Sequence, residues 1–80
     1  MPVVFRHADY RFHFFSNEGD PREPAHIHVS QAGAKAKFWL SPDVQLAYNR
    51  GYDARTIKRL QEIVEQRLEE LEEAWNVFFA

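Results

Sequence analysis

Cysteine is absent from this 80-residue chain, which excludes disulfide bonds, thiolate metal ligands and a cysteine nucleophile. Small secreted domains commonly depend on disulfides, so their absence favours the cytoplasm. Long apolar runs are missing as well, because Arg6, His7 and Asp9 interrupt the N-terminal segment and no stretch of about 18 apolar residues follows. We therefore predict a cytoplasmic protein with neither a signal sequence nor a membrane span.

A strong excess of one charge is also missing. The net charge of -2 argues against a generally basic nucleic-acid-binding protein. The charges are nevertheless unevenly distributed. Residues 53–80 contain seven acidic and four basic residues, whereas residues 1–52 contain five acidic and six basic ones. The first part of the chain therefore retains the potential for a local basic site.

Aromatic residues are plentiful, at 15% of the chain, and hydrophobic residues make up 45%. These values are typical of a folded globular domain, and large rings are an efficient way to build a small core. The chain shows no repeat, linker or low-complexity segment. We predict a single domain over residues 1–80.

The hydrophobic pattern predicts strands followed by a helix. Alternation and short apolar runs indicate four strands, and a fifth segment is either a short strand or an irregular edge. Residues 17–25 are predicted as a loop because of their Asn, Gly, Asp and Pro content, and Asn49–Arg50–Gly51 as a turn. The four strands are residues 3–6, 10–16, 26–29 and 34–40, and the fifth segment is residues 44–48.

The C-terminal segment carries one apolar stripe at helical spacing, from Ile57 to Phe78, and Asp53 is placed to cap the helix. An unbroken helix from Ala54 to Phe79 would be about 39 Å long, more than the roughly 30 Å diameter of such a domain. The helix therefore either breaks around Gln66–Arg67, so that its tail folds back, or projects onto another chain. We favour the unbroken helix and a homodimer.

The predicted fold class is α+β: a small antiparallel sheet of four to five strands with one long C-terminal helix packed on one face. Alternation assigns side chains to two faces of the sheet. We expect the opposite face to be exposed and not covered by the helix. The core face holds Tyr10, Phe12, Phe14, Ile27, Val29, Ala36, Phe38 and Leu40, and the opposite face holds Arg11, His13, Phe15, His26, His28, Lys35, Lys37 and Trp39.

His26 and His28 form the sharpest motif. Two histidines at i and i+2 of a strand point the same way, which suits two ligands of one metal ion or an acid–base pair. A metal would need a third ligand, for which the candidates are His13, Glu18, Asp20 and Glu23. A recognition or structural role is the favoured interpretation. We expect weak zinc binding or none, and no cofactor.

Other residues of the same face are candidates for binding. Phe15, Lys35, Lys37 and Trp39 suit phosphates and stacked bases, as in sheet-surface RNA-binding proteins, or the hot spots of a protein interface. A protein partner is favoured over RNA. Glu18 and Glu23 lie in the acidic loop beside His26, where they can supply a base or ligand, although a solvated turn is favoured.

The segments YRFHFFSNEGDPREPAHIHV, AKFWL and EEAWNVFF resemble the small bacterial domain-of-unknown-function family 4160. The resemblance covers almost the entire chain, although family members commonly have proline where this chain has Ala25. It implies the toxin component of a type II toxin–antitoxin pair, with a protein antitoxin as partner. It does not settle the cellular target.

Three functions follow from these observations. The first is a toxin that binds its target through the exposed His/Lys/aromatic face and is neutralised by an antitoxin that covers this face. The second is a small ribonuclease-like or metal-assisted hydrolase, with His26 and His28 as acid and base and Lys37 stabilising the developing negative charge. The third is an accessory regulator without toxicity.

Overall fold

The computed structural model describes residues 3–15 and 23–80. Strands pair antiparallel with their chain neighbours, so the order across the sheet is the order along the sequence. The α+β prediction is confirmed, with five strands. The elements are β1 (Val3–His7), β2 (Tyr10–His13), β3 (His26–Gln31), β4 (Ala34–Trp39), β5 (Gln45–Arg50), α1 (Ala54–Gln66) and α2 (Leu68–Phe78).

The fifth segment is a strand that begins at Gln45 and extends through Arg50, two residues beyond the predicted segment. Asn49 and Arg50 therefore belong to β5, and the chain turns at Gly51. The Asn49 amide stabilises this turn by donating to the Tyr52 carbonyl at 2.8 Å and accepting from the Tyr52 N–H at 3.1 Å. Gly51 has a φ of +103°, and a Cβ there would lie 3.1 Å from the Ala34 Cβ, so this position requires glycine.

The core lies between the sheet and the helices. The predicted core face is confirmed for seven of its eight residues, which are at most 1% exposed, whereas Tyr10 is half-buried. Both helices contribute apolar side chains to this layer, as expected for an amphipathic stripe packed on a sheet. The buried helical residues are Leu60, Ile63, Val64, Leu71 and Trp75.

The C-terminal segment forms two helices, so the prediction of one long unbroken helix is wrong. Asp53 caps α1 as predicted, its carboxylate accepting from the Thr56 N–H at 2.8 Å. The interruption falls at Arg67, whose backbone leaves the helical range at φ -110° and ψ 21°. Its guanidinium lies 3.6 Å from the centre of the Phe5 ring. Contact with the sheet thus accompanies the break.

The break lets the end of α2 fold back onto its own domain. Trp75 meets Phe14 edge to face with centroids 5.4 Å apart, and Phe79 lies 4.1 Å from Trp75. A projecting apolar tail was the reason to expect a homodimer, and the fold-back removes that reason. In the two described ranges, no helix is long and apolar enough to cross a membrane.

Candidate functional site

The strand register arranges the side chains of the sheet's outer face, the face opposite α1, in rows that run across the strands. In the first row Arg6 lies opposite Arg11, and Arg11 opposite Ser30. Ser30 in turn lies opposite Lys35, and Lys35 opposite Arg50. All four basic residues are exposed. We call Arg6, Arg11, Lys35 and Arg50 the cationic row.

The second and third rows contain the histidines. In the second row, His13 of β2 lies opposite His28 of β3. His28 lies opposite Lys37 of β4, and Lys37 lies opposite Tyr48 of β5. Two residues further along the strands, His26 lies opposite Trp39. We call His13, His26 and His28 the histidine cluster. The three histidines lie on the same face as Lys35, Lys37 and Trp39, which confirms the face assignment predicted from alternation.

The histidine cluster is buried, so the prediction that these side chains are exposed is wrong. His13, His26 and His28 are 4%, 0% and 5% exposed. The rings of His13 and His28 stack with centroids 5.7 Å apart, and the His26 ring stands perpendicular to His28 at 5.1 Å. Packing of the imidazoles against one another accounts for part of this burial.

Aromatic rings from several parts of the chain also pack against the cluster. Phe15 contacts His28 edge to face at 4.5 Å, and Trp39 contacts His26 in the same way at 5.5 Å. The ring of Trp75, from α2, lies 4.8 Å from His26. The outer face is therefore not free of helical residues at this end, contrary to the prediction. Alternation along strands cannot reveal a ring that arrives from another element.

Each histidine also has a polar contact. His26 Nδ1 donates to the Pro24 carbonyl at 2.8 Å, which fixes the ring against the chain that enters β3. His13 Nε2 lies 3.2 Å from Ser30 Oγ, and His28 Nδ1 lies 3.4 Å from Tyr48 Oη. The cluster is thus linked to Ser30, which lies between Arg11 and Lys35, and to Tyr48 of the edge strand β5.

Lys37 is already engaged. Its Nζ lies 3.1 Å from a carboxylate oxygen of Glu23 and 4.3 Å from the centre of the Trp39 ring, and its side chain is 12% exposed. Because its ammonium group is paired with Glu23 and packed on Trp39, Lys37 is poorly placed to stabilise the negative charge of a reacting phosphate. Glu23 serves here as an ion-pair partner, whereas Glu18 and Asp20 lie outside the described residues.

A shallow pocket opens beside the histidine cluster. It has a volume of about 330 Å³, and its wall combines basic, imidazole and aromatic groups from β2 to β5. Lys35 and Phe15, two of the predicted binding residues, line it, whereas Tyr48 was not predicted as a site residue. The charged and ring-bearing residues around this pocket are Arg11, His13, Phe15, His28, Lys35 and Tyr48.

The sequence contained one signal for Tyr48, an aromatic residue in a segment that was already a candidate strand. Its position opposite Lys37 depends on a bulge in β5, where Tyr48 is opposite Lys37, Leu46 is opposite Phe38 and Ala47 is the extra residue. A bulge shifts the register by one residue and has no reliable mark in a single sequence.

The predicted site residues in the described ranges therefore divide into two groups. His26, Trp39 and Lys37 pack together at one end of the outer face, and His13, His28, Phe15 and Lys35 surround the pocket. Glu23 is joined to the first group through Lys37. No three histidine or carboxylate side chains within residues 3–15 and 23–80 are arranged to hold a metal ion.

Two titratable groups with perturbed pKa values lie elsewhere. Hydrogen bonds from Thr56 lower the pKa of Asp53, so the cap stabilises the fold above the ordinary carboxyl pKa and weakens as pH falls through the lowered value. Burial, aided by Tyr10, raises the pKa of Tyr52, whose hydroxyl donates to the Ala34 carbonyl at 3.3 Å. Both groups support the fold.

Residues 9–76 match the family model described as Domain of unknown function (DUF4160). The match spans β2 to α2 and contains the histidine cluster, so the chain belongs to this family. No curated protein and no solved structure matches the chain.

Proposed function

We propose that the protein is the toxin of a bacterial type II toxin–antitoxin pair and that it acts in the cytoplasm by binding a cellular target through its outer sheet face. A protein antitoxin neutralises it by covering the same face. The resemblance of the chain to toxin components and its lack of cysteine support this assignment.

The organisation of the outer face is the observation that favours binding over catalysis. The histidines are enclosed by Phe15, Trp39 and Trp75, while the accessible part consists of basic side chains and ring edges. Aromatic and arginine side chains are the groups that carry most interface binding energy. The histidine cluster therefore supports the binding surface as a rigid base.

A small ribonuclease-like hydrolase is the second candidate, and the pocket favours it. His13 and His28 lie 5.7 Å apart beside Lys35 and Arg11, an arrangement that suits acid–base catalysis on a phosphodiester. The residues differ from those first predicted. His26 is fully buried and Lys37 is bound to Glu23, so His13, His28 and Lys35 take their places.

Induced expression in a bacterial host tests the toxin proposal. We expect growth to stop on induction and to resume when the product of the neighbouring gene is produced as well, with the two proteins copurifying. Unimpaired growth despite accumulation of folded protein would contradict the proposal. Copurification without growth arrest would favour a non-toxic accessory regulator.

A His13→Gln/His28→Gln variant separates binding from hydrolysis. Glutamine retains hydrogen-bonding groups at similar volume but cannot act as an acid–base catalyst near neutral pH. If the protein acts by binding, the variant stops growth at the same accumulated level as the parent. Loss of arrest in a variant with an unchanged melting temperature would favour the hydrolase.

A further inference from the structure

The cationic row is unusual because like charges face each other across the sheet. Arg6 is the register partner of Arg11, and Lys35 is the register partner of Arg50. Like charges directly opposite on neighbouring strands destabilise a sheet. Within residues 3–15 and 23–80, none of the four forms an ion pair with a carboxylate. A local cost of this kind is typical of a functional site.

Protection of the sheet edges does not explain the row. Charged side chains on edge strands prevent edge-to-edge aggregation, and Arg6 on β1 and Arg50 on β5 fit that role. Arg11 and Lys35 lie on β2 and β4, which are paired on both sides. An anionic ligand that lies across the sheet and contacts every strand accounts for all four basic residues.

The two faces of the molecule differ in charge. Six glutamates, all exposed, lie on the helices, whereas the described outer face has only Asp9 beside Arg6 and Arg11, and Glu23 bound to Lys37. The net charge of -2 therefore conceals a basic surface. The row crosses five strands, a width of about 19 Å at the usual strand spacing.

We propose that single-stranded RNA is the ligand of the outer face, with its phosphates along the cationic row and its bases against the adjacent rings. This inference names the target class of the proposed toxin and rests on that function for its biological setting. Phe15 and Tyr48 line the pocket next to Arg11 and Lys35, where a base can stack beside its own backbone.

The hydroxyls near the row favour RNA among polyanions. Ser30 stands in the row between Arg11 and Lys35, and Tyr48 Oη lies one row away. Both hydroxyls can donate to or accept from a ribose 2′-hydroxyl, which DNA lacks. An acidic protein segment would satisfy the charges, but its carboxylates would not stack on Phe15 and Tyr48 as bases do.

Fluorescence anisotropy with a labelled single-stranded RNA of about 12 nucleotides tests the proposal. Four phosphate contacts predict a slope of about -2.8 for the logarithm of affinity against the logarithm of salt concentration. Affinity should then fall roughly 50-fold between about 50 and 200 mM salt. A slope near zero, or no binding at low salt, would overturn the proposal.

Two triple variants with the same change in charge locate the surface. Arg11→Ala/Lys35→Ala/Arg50→Ala removes most of the row and should weaken binding at least tenfold, with a slope of about -0.7. Arg55→Ala/Lys58→Ala/Arg59→Ala removes three exposed basic residues of α1 and should leave affinity within about twofold. Equal losses in both variants would show attraction by overall charge and contradict the assignment.

Two competitors test the identity of the ligand. DNA of the same length and sequence should bind several-fold more weakly than RNA, because it lacks the 2′-hydroxyls. Polyglutamate at equal charge concentration should not displace the RNA. Displacement by polyglutamate would contradict the RNA assignment and favour an acidic protein segment, and equal binding of DNA would contradict the role of the hydroxyls.

This binding assay and the growth assay separate the two proposals. Growth arrest by a protein that does not bind RNA would overturn the RNA assignment and leave the toxin function standing. RNA binding by a protein that does not impair growth would overturn the toxin function alone.

Discussion

Buried histidines at i and i+2 of a strand can serve as ligands, as catalysts or as packing groups, and their neighbours decide between these roles. His26 is fully enclosed, donates to the Pro24 carbonyl and contacts Trp39 and Trp75. Its surroundings are those of a core residue that joins β3 to β4 and α2. We infer that His26 stabilises the fold.

His26→Ala should therefore lower the free energy of unfolding by about 2–4 kcal/mol, because it leaves a cavity and removes the hydrogen bond to the Pro24 carbonyl. Urea denaturation followed by tryptophan fluorescence measures this change. The matched control is His7→Ala, which removes an imidazole at the end of β1 outside the histidine cluster. Similar small losses in both variants would contradict a structural role for His26.

The sequence predicted the face on which the histidines lie but not their burial. Alternation correctly placed His13, His26 and His28 on the face of Lys37 and Trp39, because the strand period is two. Burial of the same residues also depends on Trp75, which reaches His26 from α2 through tertiary packing. A single sequence does not encode such contacts in its local pattern.

At the scale of secondary-structure elements, the interruption at Arg67 decides where the C-terminal rings lie. The apolar stripe and the Asp53 cap were readable from spacing, and Gln66–Arg67 was the predicted position of a break if one occurred. The choice between a break and a continuous helix depends on sheet contacts. Arg67 covers the Phe5 ring, a contact that does not follow from periodicity, and it pairs at 3.0 Å with Glu70, three residues ahead.

Arg67→Ala should lower the free energy of unfolding by about 1 kcal/mol, since it removes a cation–π contact together with an ion pair. Arg59→Ala is the matched control, because Arg59 also pairs with a glutamate three residues ahead, at 3.7 Å. The control should change stability by about 0.3 kcal/mol or less. Equal effects in urea denaturation would show that the Phe5 contact contributes nothing.

At the scale of the whole molecule, the separation of charge between the two faces is the dominant feature. The sequence indicated it only as an excess of basic over acidic residues in the first part of the chain. Arg50 was assigned to a turn and Arg6 to no face, because the row appears only when the register of all five strands is known. The structure thus enlarges the predicted basic surface.

If the cationic row is kept for a ligand, relieving its repulsion should stabilise the fold. Lys35→Glu places a carboxylate opposite Arg50 and should raise the free energy of unfolding by about 0.5 kcal/mol at low salt. Lys58→Glu is the control with the same charge change, and it should lower stability by about 0.3 kcal/mol through repulsion by Glu62 four residues ahead. A loss of stability in Lys35→Glu would indicate that the row serves the fold.

We propose that the protein acts through its outer sheet face. Growth after induction of the two charge-matched triple variants tests it most directly, with accumulation and melting temperature measured in parallel. We predict that Arg11→Ala/Lys35→Ala/Arg50→Ala permits growth, whereas Arg55→Ala/Lys58→Ala/Arg59→Ala stops growth as the parent chain does. Arrest of growth by the first variant at the parent's level would contradict the claim.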